Sequence, residues 1–366
     1  MNERFPTLGT RIRSGFQPLE KPLAPVSNPG KTRPRRAPHR AARLALCAAL
    51  ALGAASAGCR DRRDDRARDL QYNWEDTREV PADLIVARRA AAWPVRVTNP
   101  SALAVLPDGR AAVAGSDDVA LLDARGGEVG RFALRRPARC LAAGPDGHTL
   151  YVGSRDRIET LSLETGASAV WPALGERATL ASIAASDTQV YVADAGQRIV
   201  HRFAPDGRAL GGLGGKDAAR GAPGLVVPSP YLDVALGPAD FVWVVNPGRR
   251  SIEKYRPDGQ FDSDWRPKPE GVEGFPGCCN PAHIALRADG VFATAEKGIP
   301  RIKLFGPDGA FIGVVAAPSE FDEDEAGLDL AWLPDGRLLA LVSSRSEVWV
   351  YEIQASAGQA AGHDRK

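Results

Sequence analysis

Pro145-Asp-Gly-His-Thr-Leu-Tyr-Val-Gly-Ser-Arg-Asp-Arg-Ile-Glu-Thr-Leu-Ser-Leu-Glu-Thr-Gly166 carries a tight-turn signal at each end and two short apolar runs between them. Asp-Gly and Thr-Gly reverse a chain because glycine accepts positive φ without a steric penalty. The first signal recurs around Gly109, Gly147, Asp187, Asp240, Gly290 and Gly336, at spacings of 38, 40, 53, 50 and 46 residues. The second follows at Gly127, Gly166, Gly207, Gly259 and Gly309, after 18, 19, 20, 19 and 19 residues. Each unit therefore reads as strand a, tight turn, strand b, loop, strand c, tight turn, strand d, which is the four-stranded blade of a β-propeller.

The sixth unit is cut short. Counting 19 residues on from Gly336 reaches Ala355, where the chain dissolves into Ser-Ala-Gly-Gln-Ala-Ala-Gly, so this blade lacks a fourth strand after Val348 to Ile353. An open ring would expose an unpaired strand edge. The apolar run from Leu84 to Trp93, upstream of the first blade, supplies the missing strand. The expectation is an all-β, six-bladed propeller closed by an N-terminal strand, with no linker-like break between Trp93 and Ile353.

Val192-Ala-Asp-Ala-Gly-Gln-Arg-Ile-Val-His-Arg-Phe-Ala-Pro-Asp-Gly207 resembles the NHL repeat. Gly274-Phe-Pro-Gly-Cys-Cys-Asn-Pro281, Ala295-Glu-Lys-Gly-Ile-Pro-Arg301 and Val227-Pro-Ser-Pro-Tyr231 resemble motifs of exported bacterial NHL-like proteins. The resemblance spans Leu84 to Ile353 and implies a propeller of the NHL or TolB-like kind. It implies no activity and no catalytic residues.

The charge is unevenly spread. Of the net +2, residues 1–58 carry +8, with ten basic side chains against Glu3 and Glu20, which leaves −6 for residues 59–366. A mildly acidic body argues against a nucleic-acid partner, because phosphate neutralisation needs a basic stripe. The basic stretch Lys31 to Arg43 runs into an apolar segment, Leu44 to Ala57, which is too short to span a bilayer comfortably and reads as a secretion signal. Its ending, Ser56-Ala-Gly-Cys59, resembles a bacterial lipobox, which makes Cys59 the lipidation site of an exported bacterial lipoprotein. Such a protein is membrane-anchored and faces the periplasm or the cell surface. The domain reading is an N-terminal extension and signal over 1–58, a charged tether over 59–83, the propeller over 84–354 and a tail over 355–366.

Strand alternation places the a–b and c–d turns on one face of the disc, with the b–c loops and d–a connections on the other. Tyr231, Asn246, Glu296, Lys297 and Arg301 fall on the second face, where a rigid scaffold concentrates binding residues. Seven residues before the a–b turn markers sit Ala102, Cys140, Asp233, His283 and Asp329, with Ser182 as the equivalent of the third blade. They form a ring at the channel mouth, where the two carboxylates and His283 could hold one metal ion. Cys278 and Cys279 lie just upstream of His283. Adjacent cysteines in an exported protein suit a vicinal disulfide, an intermolecular bridge, or a metal or redox site.

Three functions compete for these residues. The leading one is a membrane-tethered module that binds a protein or small-molecule ligand on the face of the loops. The second is a thiol- or metal-dependent redox protein centred on Cys278, Cys279 and His283, and the third is a cation-dependent lyase or lactonase using Asp233 and Asp329. No phosphate loop, nucleophile elbow or His-Glu-x-x-His helix favours a further class.

Overall fold

The computed structural model describes residues 78–267, 271–277, 279–322, 325 and 328–354, with the backbone alone for Arg220. The signal segment, Cys59, Cys278 and the C-terminal tail lie outside the described residues.

Six four-stranded antiparallel sheets make up the fold, and five of them run in simple chain order from innermost to outermost strand. The inner strands are Ala102–Val105, Cys140–Ala143, Leu180–Ala185, Val234–Leu236, His283–Leu286 and Leu328–Trp332. The a–b and c–d reversals stand where the turn signals place them. Gly109, Gly147, Gly290 and Gly336 adopt positive φ in the a–b turns, and in the fourth blade Ala239 and Asp240 take that conformation without glycine.

The sixth sheet has the order Ala87–Pro94, Glu347–Ile353, Leu338–Val342, Leu328–Trp332 from the rim inwards, so the expected N-terminal strand closes the ring. It pairs antiparallel with the C-terminal strand from Ala87 opposite Ile353 to Pro94 opposite Glu347. Just before it, Ile85 bridges Val314 in the fifth blade, and Val86 N–H donates to the Val314 carbonyl at 2.9 Å.

The blades bury their faces against one another, so the apolar residues lie in successive inter-blade layers. At the rim these layers are sealed by tryptophan at alternate seams. Trp93 of the closing strand lies against Gly126 in the outer turn of the first blade, where a Cβ would come within 2.2 Å of the indole. Trp171 bears the same relation to Gly207 of the third blade, at 2.9 Å, and Trp265 to Gly309 of the fifth, at 2.6 Å. The second blade's Gly166 has no such neighbour.

The face with the hairpin turns is termed the lower face of the disc, and the face with the b–c loops and d–a connections the upper.

Candidate functional site at the upper channel mouth

The inner edge of each innermost strand has no neighbouring strand, so its N–H groups need partners from side chains or water. Asp233 supplies two. Its Oδ1 accepts the N–H of Val234 at 2.8 Å, and its Oδ2 accepts that of Ile284, in the next blade, at 2.7 Å. Asp329 repeats the pattern, with Leu330 N–H at 2.9 Å and Leu103 N–H of the first blade at 2.8 Å. Ser182 reaches from the third blade to Val234, accepting its N–H at 3.3 Å. These side chains clasp neighbouring blades together across the channel wall.

The channel widens and narrows along its length. At the waist, a space of about 90 Å³ is lined by Cys140, Ser182, Asp233, His283 and Asp329. Of the ring expected from the sequence, Ala102 alone is not among this lining; it is buried in the layer between the first and second blades. Above the waist a cavity of about 240 Å³ opens on the upper face, lined by Ser101, Arg139, Tyr231, Leu232, His283 and Asp329 among others. His283 stands between the two spaces, its Nδ1 3.4 Å from Asp233 Oδ2. The Tyr231 ring meets its imidazole edge-on at 6.1 Å between centroids, and the Lys297 ammonium lies 4.8 Å from the Tyr231 centroid, in cation–π range.

The electrostatics of the waist raise the proton affinity of its side chains. Burial pushes the Asp329 carboxyl up to about 6, with the negative Asp233 adding to the effect and His283 opposing it. Burial alone would lower the His283 pKa, but the hydrogen bond to Asp233 and the charges of Asp233 and Asp329 outweigh it and hold His283 above its ordinary value. Burial, then Asp329 and Asp233, push the Cys140 thiol far up, so it is a small core group and not a thiolate nucleophile. Among the described residues no three His, Cys, Asp or Glu side chains converge in metal-holding geometry. The single-ion reading of the ring is therefore not supported by the described residues: each aspartate oxygen is already directed at a backbone N–H group of the channel wall.

A pH dependence follows. Asp329 and His283 both have folded pKa values raised above their unfolded ones, so the native state holds more protons than the unfolded chain from about pH 4 to above pH 6.5. Stability is expected to fall as pH rises through that window. Asp329→Asn together with His283→Gln should flatten the slope, which thermal melts between pH 4.5 and 8 would measure.

The loops that carry the sequence motifs interlock. The Asn280 side chain donates to the Pro276 carbonyl at 2.7 Å and the Lys297 carbonyl at 3.1 Å, and accepts the Lys297 N–H at 3.0 Å. This joins the Gly277-to-Pro281 turn to the Glu296-to-Arg301 loop and sets the start of the His283 strand. The expectation of five side chains on the loop face is corrected for three of them, which point into the protein. Glu296 and Arg301 are fully buried with Lys303, the Glu296 carboxylate pairing with Arg301 Nη2 at 2.7 Å and Lys303 Nζ at 2.6 Å. Asn246 is buried in the fourth blade, donating to Glu253 Oε1 at 2.6 Å and to the Gly224 carbonyl at 3.0 Å.

Tyr231 and Lys297 do stand at the mouth. Cys279 is buried and lines neither the cavity nor the waist, while its neighbour Cys278 is outside the described residues. Sequence reasoning missed Arg139 and Ser101. Both flank the positions of the ring, Arg139 immediately before Cys140 and Ser101 immediately before Ala102.

No family model matches the chain, and no curated relative does. Among solved structures, a virginiamycin B lyase from Staphylococcus aureus is 11% identical, over 72% of this chain and 98% of its own, with a TM-score of 0.51. A streptogramin B lyase is 12% identical over 72% and 97%, with a TM-score of 0.49. A catalytically inactive virginiamycin B lyase from the same organism, with quinupristin, is 13% identical over 69% and 80%, also at 0.49. Likeness at this identity is a likeness of fold.

Proposed function

We propose that this chain is an exported, lipid-anchored propeller whose task is to bind a ligand at the upper mouth of its channel. The observation that carries the reading is the cavity of about 240 Å³ in which a cation, an aromatic face and an imidazole, those of Arg139, Tyr231 and His283, converge on loops held by a rigid ring. The lipobox-like ending at Cys59 and the charged run behind it support the anchor. Among the described residues the redox reading lacks a thiol in the lining of the upper cavity and the lyase reading lacks a converged ligand set, so binding is the function these residues support best.

The test has two arms. Thermal-shift screening of the full chain against a panel of small polar compounds should find one that raises the melting temperature, with the shift lost in Tyr231→Ala. A shift unchanged in that variant would place the ligand elsewhere. Cell fractionation should find the protein with membranes and the Cys59→Ala form released or unprocessed; unchanged partitioning would remove the lipid anchor from the reading.

A further inference from the structure

The arginines of the two faces are treated differently. On the lower face three of the turns neutralise their own arginine: Arg110 pairs with Asp108 at 2.6 Å, Arg287 with Asp289 at 2.7 Å and Arg337 with Asp335 at 2.8 Å, while Arg125 and Arg208 stand singly on their turns with no ion pair among the described residues. On the upper face, the segments 134–139, 154–157, 171–179 and 195–198 hold seven arginines against two acids, Asp156 and Glu176. Arg135 lies 3.7 Å from the buried Glu159, and Arg157 lies 3.6 Å from Asp156. The other five, Arg136, Arg139, Arg155, Arg177 and Arg198, are exposed, and none belongs to an ion pair among the described residues.

Backbone hydrogen bonds weld these segments into one shelf. Arg139 N–H donates to the Gly153 carbonyl at 2.7 Å, Leu180 N–H to the Arg155 carbonyl at 3.0 Å, and Leu174 N–H to the Asp156 carbonyl at 3.0 Å. Ala195 N–H reaches the Thr179 carbonyl at 2.9 Å, and the Gln197 side chain donates to the Leu174 carbonyl at 3.0 Å. Five unneutralised guanidinium groups thus stand on a continuous platform of the second and third blades, beside the upper cavity.

Like charges crowded on one platform repel one another, and seven arginines against Asp156 and Glu176 leave the platform with an excess of positive charge. We infer that this shelf docks an acidic polypeptide segment of a partner protein. Guanidinium forks match carboxylates in paired geometry, which suits Glu and Asp side chains spaced along an extended segment. Single-stranded nucleic acid is disfavoured because base stacking needs exposed aromatic rings. The sole aromatic residue in these segments, Trp171, is buried. A lipid surface is disfavoured because the exposed large apolar side chains among the described residues are Val129, Val170 and Val226, with no Trp, Phe or Leu to insert. The shelf adjoins the cavity and shares Arg139 with it, while Tyr231 belongs to the cavity alone.

Fluorescence anisotropy of a labelled poly-L-glutamate peptide with the full chain tests it. Binding at physiological salt is expected, weakening as salt rises, and an Arg136→Glu, Arg155→Glu, Arg177→Glu variant should bind at least about tenfold more weakly. The pair Arg125→Glu and Arg208→Glu, on the lower turns, should bind as the wild type does, and so should Tyr231→Ala. Unchanged melting temperatures would show that the variants are folded, and the Arg→Lys triple variant, which keeps the charge, guards against a folding defect in the Glu form. No binding by the wild type would overturn the proposal. So would equal binding by the Glu variant, loss of binding in Tyr231→Ala, or preference for phosphatidylglycerol vesicles or single-stranded DNA. The Tyr231→Ala arm separates failure of the shelf from failure of the cavity.

Discussion

Glu296→Gln should lower the unfolding free energy by about 3–5 kcal/mol, because it strips the counter-charge from two buried cations. Arg301 places both Nε, at 2.9 Å, and Nη2, at 2.7 Å, on one carboxylate oxygen, and Lys303 takes the other at 2.6 Å. Burial already lowers the Lys303 pKa to about 8, against the pull of Glu296. The ammonium also donates to the carbonyls of Val272, at 3.0 Å, and Gly274, and faces the Phe275 ring at 4.9 Å. Losing the carboxylate therefore loosens the connection that leads to His283 as well as the blade itself. Guanidinium denaturation measures the loss, and adding Lys303→Met to the variant should restore part of it by removing a stranded charge. A loss below about 1 kcal/mol would show that water replaces the carboxylate, and would end the description of this cluster as a sealed ion triad.

Deleting residues 78–94 should leave a protein that aggregates, because it uncovers the whole outer edge of the C-terminal strand. That edge, Glu347–Ile353, is now paired from end to end with Ala87–Pro94. Trp93→Ala is the milder variant. It keeps the hydrogen bonds and removes the indole that covers Gly126, at an expected cost of about 3–5 kcal/mol. A soluble, cooperatively melting deletion variant would mean that five and three-quarter blades close without the strand.

The fold was legible because reversal of a strand imposes residue types locally. Gly109, Gly147, Gly290 and Gly336 mark the turns with the positive φ they adopt, and the truncated last unit announces its missing partner. The clasp role of the channel residues was not legible. Asp233 accepts a hydrogen bond from 51 residues away and Asp329 from 226 residues away, and nothing in their own neighbourhoods states where the donors lie. Position in the ring could be read, but chemistry could not. Glu296 and Arg301 looked like surface loop residues because they flank Gly298 and Pro300, yet Glu296 closes one fully buried strand and Arg301 opens the next. The arginine shelf escaped for a different reason. A net charge of −6 over residues 59–366 averages a basic sector with the acids elsewhere, so composition argued against a patch that folding assembles from four segments.

The tryptophan seals at alternate seams divide the rim unequally. Trp93, Trp171 and Trp265 bind the sixth blade to the first, the second to the third, and the fourth to the fifth. Between the fifth and sixth blades the chain's own lead-in takes over, through Ile85 and Val86 on Val314. The seam from first to second blade has neither device at the rim, and that from third to fourth is tied instead by hydrogen bonds, Arg202 Nη1 donating to the Asp258 carbonyl at 2.6 Å and the Gln189 side chain to the Pro257 carbonyl at 3.1 Å, so the second and third blades form a wedge sealed along its own seam by Trp171. That wedge carries the arginines and contributes Arg139, Leu180 and Ala181 to the cavity wall. The surface that would meet a partner and the wall that would meet a ligand are thus built on the same two sheets, with Arg139 belonging to both.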